Sequence, residues 1–467
     1  MTAVRFLLNG ERREVADAPP ATTVLDWLRG RAGLTGTKEG CAEGDCGACT
    51  IAVSRPRDGP PVWQAVNSCL MTLPQLDGAA VLTVEGLATA GALHPVQRIL
   101  AEADATQCGY CTPGFVMNLF TLAGAGAVDD GAIHETLAGN LCRCTGYRPI
   151  VAAAREIAAL SPPDAPAPAP PPPSERYEAE AQTFLAPPSL AGLDAALAAH
   201  PDAVLLGGGT DLGLAVSKAR RSWPVVVSTA RVADLRNVTV TTTAITFGSA
   251  VTYSAALPHL ETLSPSLGAL VRRLGSQQIR NLGTLAGNLA TASPIGDTIP
   301  ALIALDATLV LRSHRGTRTL AVADFIRGYR RTALEQGEYI AAIRVPRLPA
   351  KTHFATYKLA KRYDQDISTV VAAFRLALQD GVVTELCAVY GGMAASARRA
   401  AALEAALIGR PWTAEALQDV DTLLASEFAP LDDHRGSAQY RLRAAANLLR
   451  RFQFETTGGA PARLEVL

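Results

Sequence analysis

The chain has 467 residues, of which 48% are hydrophobic and 18% are charged, and its 43 basic side chains balance its 43 acidic ones. This length exceeds what one hydrophobic core usually supports, so we expect several domains. The charge balance argues against binding to nucleic acid or to an anionic membrane surface. No apolar run approaches the roughly 18 residues of a membrane helix, and the first residues lack the features of a signal peptide, so the sequence predicts a cytoplasmic protein.

Residues 1–84 begin with a predicted β-hairpin, because two strand-like runs flank Asn9-Gly10. A short helix capped by Thr23 follows, and then a loop broken by glycines. Four cysteines follow in the order C-x4-C-x2-C and a later Cys: Cys41, Cys46, Cys49 and Cys69. This spacing is typical of a plant-type 2Fe–2S site. A structural zinc site is the alternative, but zinc ribbons usually show two C-x2-C pairs and this set has one.

Residues 85–160 contain four helix-like stretches, which predict a small four-helix bundle. The stretches are residues 96–103, 114–122, 134–141 and 150–160. Cysteine pairs precede the second and the fourth: Cys108 and Cys111, then Cys142 and Cys144. Two helix starts can therefore converge on one soft-metal or iron–sulfur site, where the helix dipoles favour thiolates. By itself this set is compatible with zinc, and we interpret His94 and His134 as capping or surface residues rather than ligands.

The ninth cysteine, Cys387, stands alone, and we interpret it as an ordinary buried thiol. Disulfides are not expected in a reducing compartment. Residues 161–173 read SPPDAPAPAPPPP, which predicts a linker in polyproline form spanning about 40 Å.

Two Gly-rich segments mark the second half of the chain. Residues 204–213 read VLLGGGTDLG, a strand that runs into glycines and allows close approach of the backbone to a pyrophosphate. The segment fits neither G-x-G-x-x-G nor a Walker loop, so a tight bend is an equal alternative. Residues 278–297 carry no charge between Arg280 and Asp297, which predicts either neutral donors around a large polar ligand or a tightly packed, capped loop.

The last part of the chain reads as an α+β domain. After a strand at residues 354–358 and a charged loop at 361–366, two strands (367–378 and 382–391) are joined at Asp380-Gly381. Helices are predicted at residues 394–408 and 438–452.

With both cysteine sets and both Gly-rich segments considered together, the chain resembles the iron–sulfur/FAD subunit of the molybdenum hydroxylase family over essentially its whole length. GGGTDLG followed by TLAGNLATASPIGD is typical of the flavin domain of that family. The resemblance implies a multidomain α+β fold. Its domains would be a plant-ferredoxin-like β-grasp domain (1–84), a four-helix 2Fe–2S bundle (85–160), a Pro-rich linker (161–177), an FAD-binding α+β domain (178–347) and a C-terminal α+β flavoprotein domain (348–467).

The resemblance also implies cofactors and their residues. Cys41, Cys46, Cys49 and Cys69 would ligate the 2Fe–2S cluster nearer the flavin, and Cys108, Cys111, Cys142 and Cys144 the cluster nearer the molybdenum. The implied FAD contacts are Leu205, Leu206, Gly207, Gly208, Gly209, Thr210, Asp211, Leu212, Leu274, Thr284, Leu285, Ala286, Gly287, Asn288, Asp297, Ile340 and Lys358. Leu274 replaces an aromatic residue of the animal enzymes, and the loop at 361–366 would lie beside the flavin and influence access of NAD. No residue of this chain is identified as catalytic.

The implied activity is that of an NAD-dependent xanthine dehydrogenase, which oxidises hypoxanthine to xanthine and xanthine to urate. The molybdenum cofactor (molybdopterin) would sit on a large partner subunit, in an (αβ)2 heterotetramer. Alternatives are the same electron relay with an aldehyde, a nicotinate-like heterocycle or carbon monoxide as substrate, a stand-alone iron–sulfur flavin reductase, and a zinc-stabilised scaffold. A reductase needs only one cluster, so the second cysteine set argues against it.

Overall fold

The computed structural model describes residues 3–55, 62–89, 91–126, 128–164, 166 and 169–460. The chain forms two compact units: unit 1 is Met1–Ala233 with Gly275–Gly283, and unit 2 is Asp234–Leu274 with Thr284–Leu467. The border between the units falls inside the predicted FAD-binding domain, whereas the predicted division into four domains stays a prediction. Within the described ranges, every helix is too short or too polar to cross a membrane.

Unit 1 begins with a five-stranded sheet in the order β2-β1-β5-β3-β4, the plant-ferredoxin-like β-grasp fold. Asn9 and Gly10 have φ of 52° and 84°, so the predicted hairpin is confirmed as a tight turn in the left-handed region. Thr23 caps the first helix by accepting the N–H of Asp26 at 3.0 Å, also as predicted. The elements are β1 (Val4–Leu8), β2 (Glu11–Val15), α1 (Val24–Gly30), β3 (Thr50–Ser54), β4 (Gln64–Asn67) and β5 (Ala80–Leu82).

Four helices follow and share one apolar core, as the sequence predicts. They are α2 (Pro95–Glu102), α3 (Thr112–Leu122), α4 (Asp130–Leu137) and α5 (Arg148–Ala158). The third helix begins and ends four residues earlier than predicted, because the Asp129 carboxylate caps it by accepting the N–H of Ala132 at 2.8 Å. His94 is a capping residue, as predicted, since its Nδ1 accepts the N–H of Val96 at 3.2 Å.

The Pro-rich segment lies against the iron–sulfur half instead of crossing open solvent. Arg5 donates to the hydroxyl of Ser174 at 3.1 Å, the Ser174 N–H donates to Asp77, and Trp63 Nε1 donates to the carbonyl of Asp164 at 2.9 Å. These contacts tie described residues of the segment to the iron–sulfur half, and the assignment of residues 161–177 as a linker stays a prediction.

A four-stranded sheet in the order β6-β7-β9-β8 completes unit 1. Its elements are β6 (Arg176–Ala179), β7 (Gln182–Leu185), α6 (Leu190–Ala199), β8 (Val204–Leu206), α7 (Thr210–Ser217) and β9 (Val225–Ser228). In the described part of the chain, the 3-10 helices are Leu73–Leu76, Val84–Gly86, Ala233–Arg236 and Glu415–Leu417.

Unit 2 is built on a five-stranded sheet (β10-β11-β16-β12-β13) and a four-stranded sheet (β17-β18-β19-β20). The elements after Ala233, of which only α10 belongs to unit 1, are β10 (Val238–Val240), β11 (Ala244–Gly248), α8 (Tyr253–Leu263), α9 (Pro265–Arg272), α10 (Gln277–Arg280), α11 (Leu285–Ala290), α12 (Ile299–Ala304), β12 (Thr308–Ser313), β13 (Gly316–Ala321), α13 (Val322–Phe325), β14 (Ile326–Gly328), β15 (Arg331–Thr332), β16 (Tyr339–Pro346), β17 (Thr352–Leu359), β18 (Val370–Gln379), β19 (Val382–Gly391), β20 (Arg398–Arg399), α14 (Ala401–Leu407), α15 (Val420–Glu427) and α16 (Ala438–Thr456).

The helix predicted at residues 394–408 is only partly correct. Arg398 and Arg399 pair with β19 as a short edge strand, and the helix begins after them at Ala401. Tertiary pairing has here overridden the helical propensity of an Ala-rich run. Cys387 is buried on β19, and burial raises the pKa of its thiol to about 12, as expected for an ordinary core cysteine.

Candidate cofactor sites

The first cysteine loop brings its four predicted ligands together as two pairs. Sγ of Cys46 accepts the N–H of Cys41 at 3.3 Å, and Sγ of Cys41 accepts the N–H groups of Cys46 at 3.3 Å and Glu43 at 3.4 Å. Cys49 and Cys69 form the second pair, in which each thiol shifts the pKa of the other, and both are buried. Backbone donors aimed at sulfur favour thiolates, and therefore an anionic cluster.

The electrostatics of this loop follow the pairing. The thiol of Cys46 donates to Cys41 and, with the nearby N–H groups, lowers the pKa of Cys41 to about 5 against the opposing effect of burial. The same hydrogen bond, together with burial, raises the pKa of Cys46. In the second pair, the thiol of Cys69 lowers the pKa of Cys49. In each pair the pKa of one thiol is thus lowered while that of its partner is raised.

The second cysteine set is also arranged two by two. Sγ of Cys144 lies 3.5 Å from Sγ of Cys108, and both residues are exposed. Cys111 and Cys142 form the other pair, and burial, followed by the neighbouring thiol of Cys142, raises the pKa of Cys111 to about 12. Cys111 immediately precedes α3 as predicted, and α5 begins at Arg148, two residues before the predicted start, after a turn through residues 143–147.

Each set of four thiols therefore fits a 2Fe–2S cluster. Such a cluster is held by four thiolates, two on each iron, and each set offers two pairs of sulfurs. Burial opposes ionisation of Cys142, but the hydrogen bonds from Thr145, from the N–H of Cys144 and from Cys111 together lower its pKa.

The two cysteine loops are joined by hydrogen bonds, and those made by the side chain of Asn140 are buried. The N–H of Leu141, the residue before the ligand pair of the second set, donates to the carbonyl of Cys46 at 3.0 Å. Asn140 Nδ2 donates to the carbonyl of Gly47 at 3.0 Å, and Gln278 Nε2 donates to Asn140 Oδ1 at 2.9 Å. The sequence predicts no such role for Asn140 or Gln278, because a bridge between distant segments leaves no local pattern.

In unit 1 the predicted phosphate-binding segment is a strand, a turn of three glycines and a helix start. The strand β8 ends at Leu206 and α7 begins at Thr210. A Cβ atom on Gly208 would lie 1.9 Å from the carbonyl oxygen of Leu282, and Gly209 has φ of 86°. The loop is thus closed to larger side chains, and the N–H groups of the first turn of α7 are suited to bind phosphate.

In unit 2 the segment that begins at Thr284 has features of both predicted alternatives, the tightly packed, capped loop and the row of neutral polar side chains. Thr284 caps α11 by accepting the N–H of Gly287 at 2.9 Å, and Thr298 donates to Asn288 Oδ1 at 2.9 Å. Leu285 and Ala286 are buried beneath this polar row. The segment is therefore capped and tightly packed, and it presents neutral side chains at the same time.

A buried ion pair lies at the end of this segment. Lys358 Nζ is 2.6 Å from Asp297 Oδ2, and both side chains are at most 8% exposed. Ser368, which no pattern in the sequence marks, donates to Asp297 Oδ1 at 2.6 Å, and Lys358 also donates to the carbonyl of Arg273 at 3.2 Å. Lys358 and Asp297, the two predicted FAD contacts, thus belong to one fixed polar cluster.

The remaining predicted contacts of unit 2 lie near its core. Ile340 is buried on β16, and Leu274 is partly buried against the same core cluster. The guanidinium of Arg273 lies 4.4 Å from the ring centre of Tyr363, and its Nε donates to the carbonyl of Tyr363 at 3.0 Å. The predicted loop at 361–366 is therefore held by the residue that directly precedes Leu274.

Four family models match the chain in succession. They are the 2Fe-2S iron-sulfur cluster binding domain (residues 6–73), the 2Fe-2S binding domain (83–155), the FAD binding domain in molybdopterin dehydrogenase (178–348) and the CO dehydrogenase flavoprotein C-terminal domain (355–456).

Similar proteins are redox enzymes. Xanthine dehydrogenase/oxidase of Gallus gallus is 32% identical over 510 residues, which cover 90% of this chain and 37% of the relative, so the chain spans less than two fifths of that protein. A chain of carbon monoxide dehydrogenase from Hydrogenophaga pseudoflava is 30% identical with a TM-score of 0.54, covering 57% of this chain and 94% of that one. A chain of quinoline 2-oxidoreductase from Pseudomonas putida 86 is 26% identical with a TM-score of 0.55, covering 60% and 98%.

Proposed function

This chain belongs to the molybdenum hydroxylase family as an electron-transfer part with two 2Fe–2S domains and an FAD-binding domain, and from that premise we propose that it serves a xanthine dehydrogenase. In this proposal electrons leave a molybdenum cofactor on a large partner subunit and pass first to the cysteine set that begins at Cys108. They then pass to the set that begins at Cys41, on to FAD and finally to NAD+. The substrates would be hypoxanthine and xanthine, with urate as the end product.

When bound, the clusters carry single electrons and FAD exchanges a hydride with NAD+. The residues of this chain hold, space and insulate these groups. We assign the eight paired cysteines as cluster ligands, residues 205–212 to the phosphates of FAD, and residues 284–288 with Asp297 to the rest of its adenosine diphosphate and ribityl parts. Leu274, Ile340 and Lys358 would contact FAD as well.

The observation that carries the relay is the hydrogen bond from the N–H of Leu141 to the carbonyl of Cys46 at 3.0 Å. Cys46 belongs to one ligand set, and the residue after Leu141 is a ligand of the other. A single hydrogen bond and one peptide therefore separate the two sets, which supports electron transfer between them and fixes their spacing.

The second cysteine set suits the entry point of the relay. Cys108 and Cys144 are exposed, and Tyr110 and Leu141 beside them are 51% and 44% exposed. An apolar surface of this kind supports contact with the molybdenum subunit. We propose an (αβ)2 heterotetramer in the cytoplasm, where reducing conditions keep all eight thiols available for clusters.

Purification of the full chain with its natural partner tests the proposal. We expect molybdenum, iron and FAD in one complex that reduces NAD+ with xanthine or hypoxanthine. Quinoline and carbon monoxide serve as competing substrates, because two structural neighbours act on them by name. An aldehyde is added because the sequence alone leaves it open as a substrate. Turnover of one of these without turnover of xanthine would contradict the substrate but leave the relay, and a preparation with zinc in place of iron would refute both.

A further inference from the structure

We propose that α7 couples FAD binding to loading of the first 2Fe–2S cluster, with Ser217 as a positioning residue, so that the cluster must be in place before FAD is held tightly. The inference rests on the proposed binding of FAD phosphates at the start of this helix. All contacts that carry it lie inside unit 1.

The helix α7 begins at the predicted phosphate loop and ends on the first cysteine loop. Its eight residues span about 12 Å at 1.5 Å per residue. At its C-terminal end, Ser217 is buried and its hydroxyl donates to the carbonyl of Ala42 at 2.7 Å. The ammonium of Lys218 lies 3.3 Å from the carboxylate of Glu43. The helix therefore joins the phosphate site to the two residues that follow Cys41.

These two residues also shape the sulfur ligand. Ala42 has φ of 55°, a left-handed conformation that is unfavourable for a residue with a side chain, so its surroundings must hold it there. The N–H of Glu43 donates to Sγ of Cys41 at 3.4 Å. Cluster assembly at Cys41 and the position of the end of α7 consequently depend on the same backbone turn.

A second contact joins the middle of α7 to the other side of the cysteine set. A Cβ atom on Gly213 would lie only 2.0 Å from the carbonyl oxygen of Leu70, the residue after Cys69. Gln75, five residues further on, donates to the carbonyl of Gly208 at 3.5 Å. Both halves of the cysteine set thus support the helix and the loop, so disorder of the empty cysteine loop would release the phosphate site.

Thermodynamic linkage makes the coupling reciprocal: a factor by which the cluster strengthens FAD binding is also the factor by which FAD stabilises the cluster. FAD affinity is measured by quenching of flavin fluorescence in full-length protein freed of FAD. We expect a Cys41→Ser protein to bind FAD at least tenfold more weakly than the natural chain. A Cys144→Ser protein, which alters the other set, should bind within threefold of the natural chain.

Ser217→Ala separates coupling from folding, because all eight cysteines remain. We expect weaker FAD binding by threefold or more and, in the loaded protein, loss of the protection that FAD gives against removal of iron by a chelator. Ser222→Ala, an exposed serine five residues later, is the matched control and should keep both properties. Two results would overturn this inference but not the proposed function. One is that Ser217→Ala leaves FAD affinity and iron loss unchanged, and the other is that FAD affinity is equal with and without the first cluster. Failure of the natural chain to bind FAD at all would also overturn the proposed function.

Discussion

Lys358 and Asp297 form a 2.6 Å ion pair that is almost fully buried, between β17 and the turn before α12. A charge in such a place is stable only with its partner, because desolvation opposes it. The hydroxyl of Ser368 satisfies the other carboxylate oxygen. The pair therefore fixes the position of a predicted FAD contact.

Replacement of Lys358 by an uncharged residue tests how far the buried carboxylate of Asp297 depends on its partner. Lys358→Met should lower the free energy of local unfolding by about 3–5 kcal/mol, because the carboxylate is left buried without its partner. Amide hydrogen exchange in β17 measures this value, and FAD content should fall with it. Asp297→Asn added to Lys358→Met should recover part of the loss. Disruption of the exposed Arg98–Glu102 pair should cost less than about 1 kcal/mol, and an equal cost at both pairs would contradict the prediction.

Cys111→Ser should stop electron entry but not electron exit. The variant should lose xanthine-dependent reduction of NAD+ while it keeps oxidation of NADH by an artificial acceptor, since Cys111 lies upstream of FAD in the proposed order. Iron content should fall by about half, because one of two clusters is lost. Cys387→Ala is the matched control and should keep all of its iron. Survival of both activities in the Cys111 variant would show that the order of the relay is wrong.

Gly208→Ala should weaken FAD binding at least tenfold, which corresponds to about 1.4 kcal/mol. The added methyl group would lie 1.9 Å from the carbonyl oxygen of Leu282, so the loop would have to move. Gly30→Ala offers a control, because a Cβ atom there meets nothing within 4 Å. Titration with FAD compares the variants, and unchanged affinity in the Gly208 variant would place the phosphates elsewhere.

Asn140→Ala should destabilise the junction of the two cysteine loops by about 2–4 kcal/mol, because several buried polar groups lose their partner together. Asn140 donates to the carbonyl of Gly47, and its Oδ1 accepts from Asn118 at 2.8 Å and from Gln278 at 2.9 Å. The temperature at which visible cluster absorbance bleaches should fall. Asn447→Ala, at an exposed asparagine on α16, should leave that temperature within about one degree, since surface substitutions change stability little.

The sequence was most informative where local chemistry decides the structure. The Asn9-Gly10 turn, the Thr23 cap and the strand before Gly207 were all predictable, because a few neighbouring residues determine each conformation. The cysteine spacing predicts two ligand sets, and the structure brings sulfurs of each set into pairs.

Features that depend on distant residues were not predictable. Ser368 meets Asp297 across 71 positions and Gln278 meets Asn140 across 138, and neither contact leaves a periodic pattern. Arg398 and Arg399 leave the predicted helix because β19 offers them an edge for pairing. Such contacts depend on packing between segments, which composition and periodicity do not describe.

The segment Gly275–Gly283 follows the Pro-rich linker by about a hundred positions, yet it lies with the iron–sulfur half. There Arg280, 2% exposed, pairs with Glu135 at 2.7 Å, and Asn281 donates to the carbonyl of Ala65 at 2.8 Å. A chain cut in the linker would therefore stay assembled, because these buried contacts do not depend on covalent continuity. The linker raises the effective concentration of the two pieces for each other and speeds their first encounter. For the same reason, division of one gene into two at this point would be a small structural step.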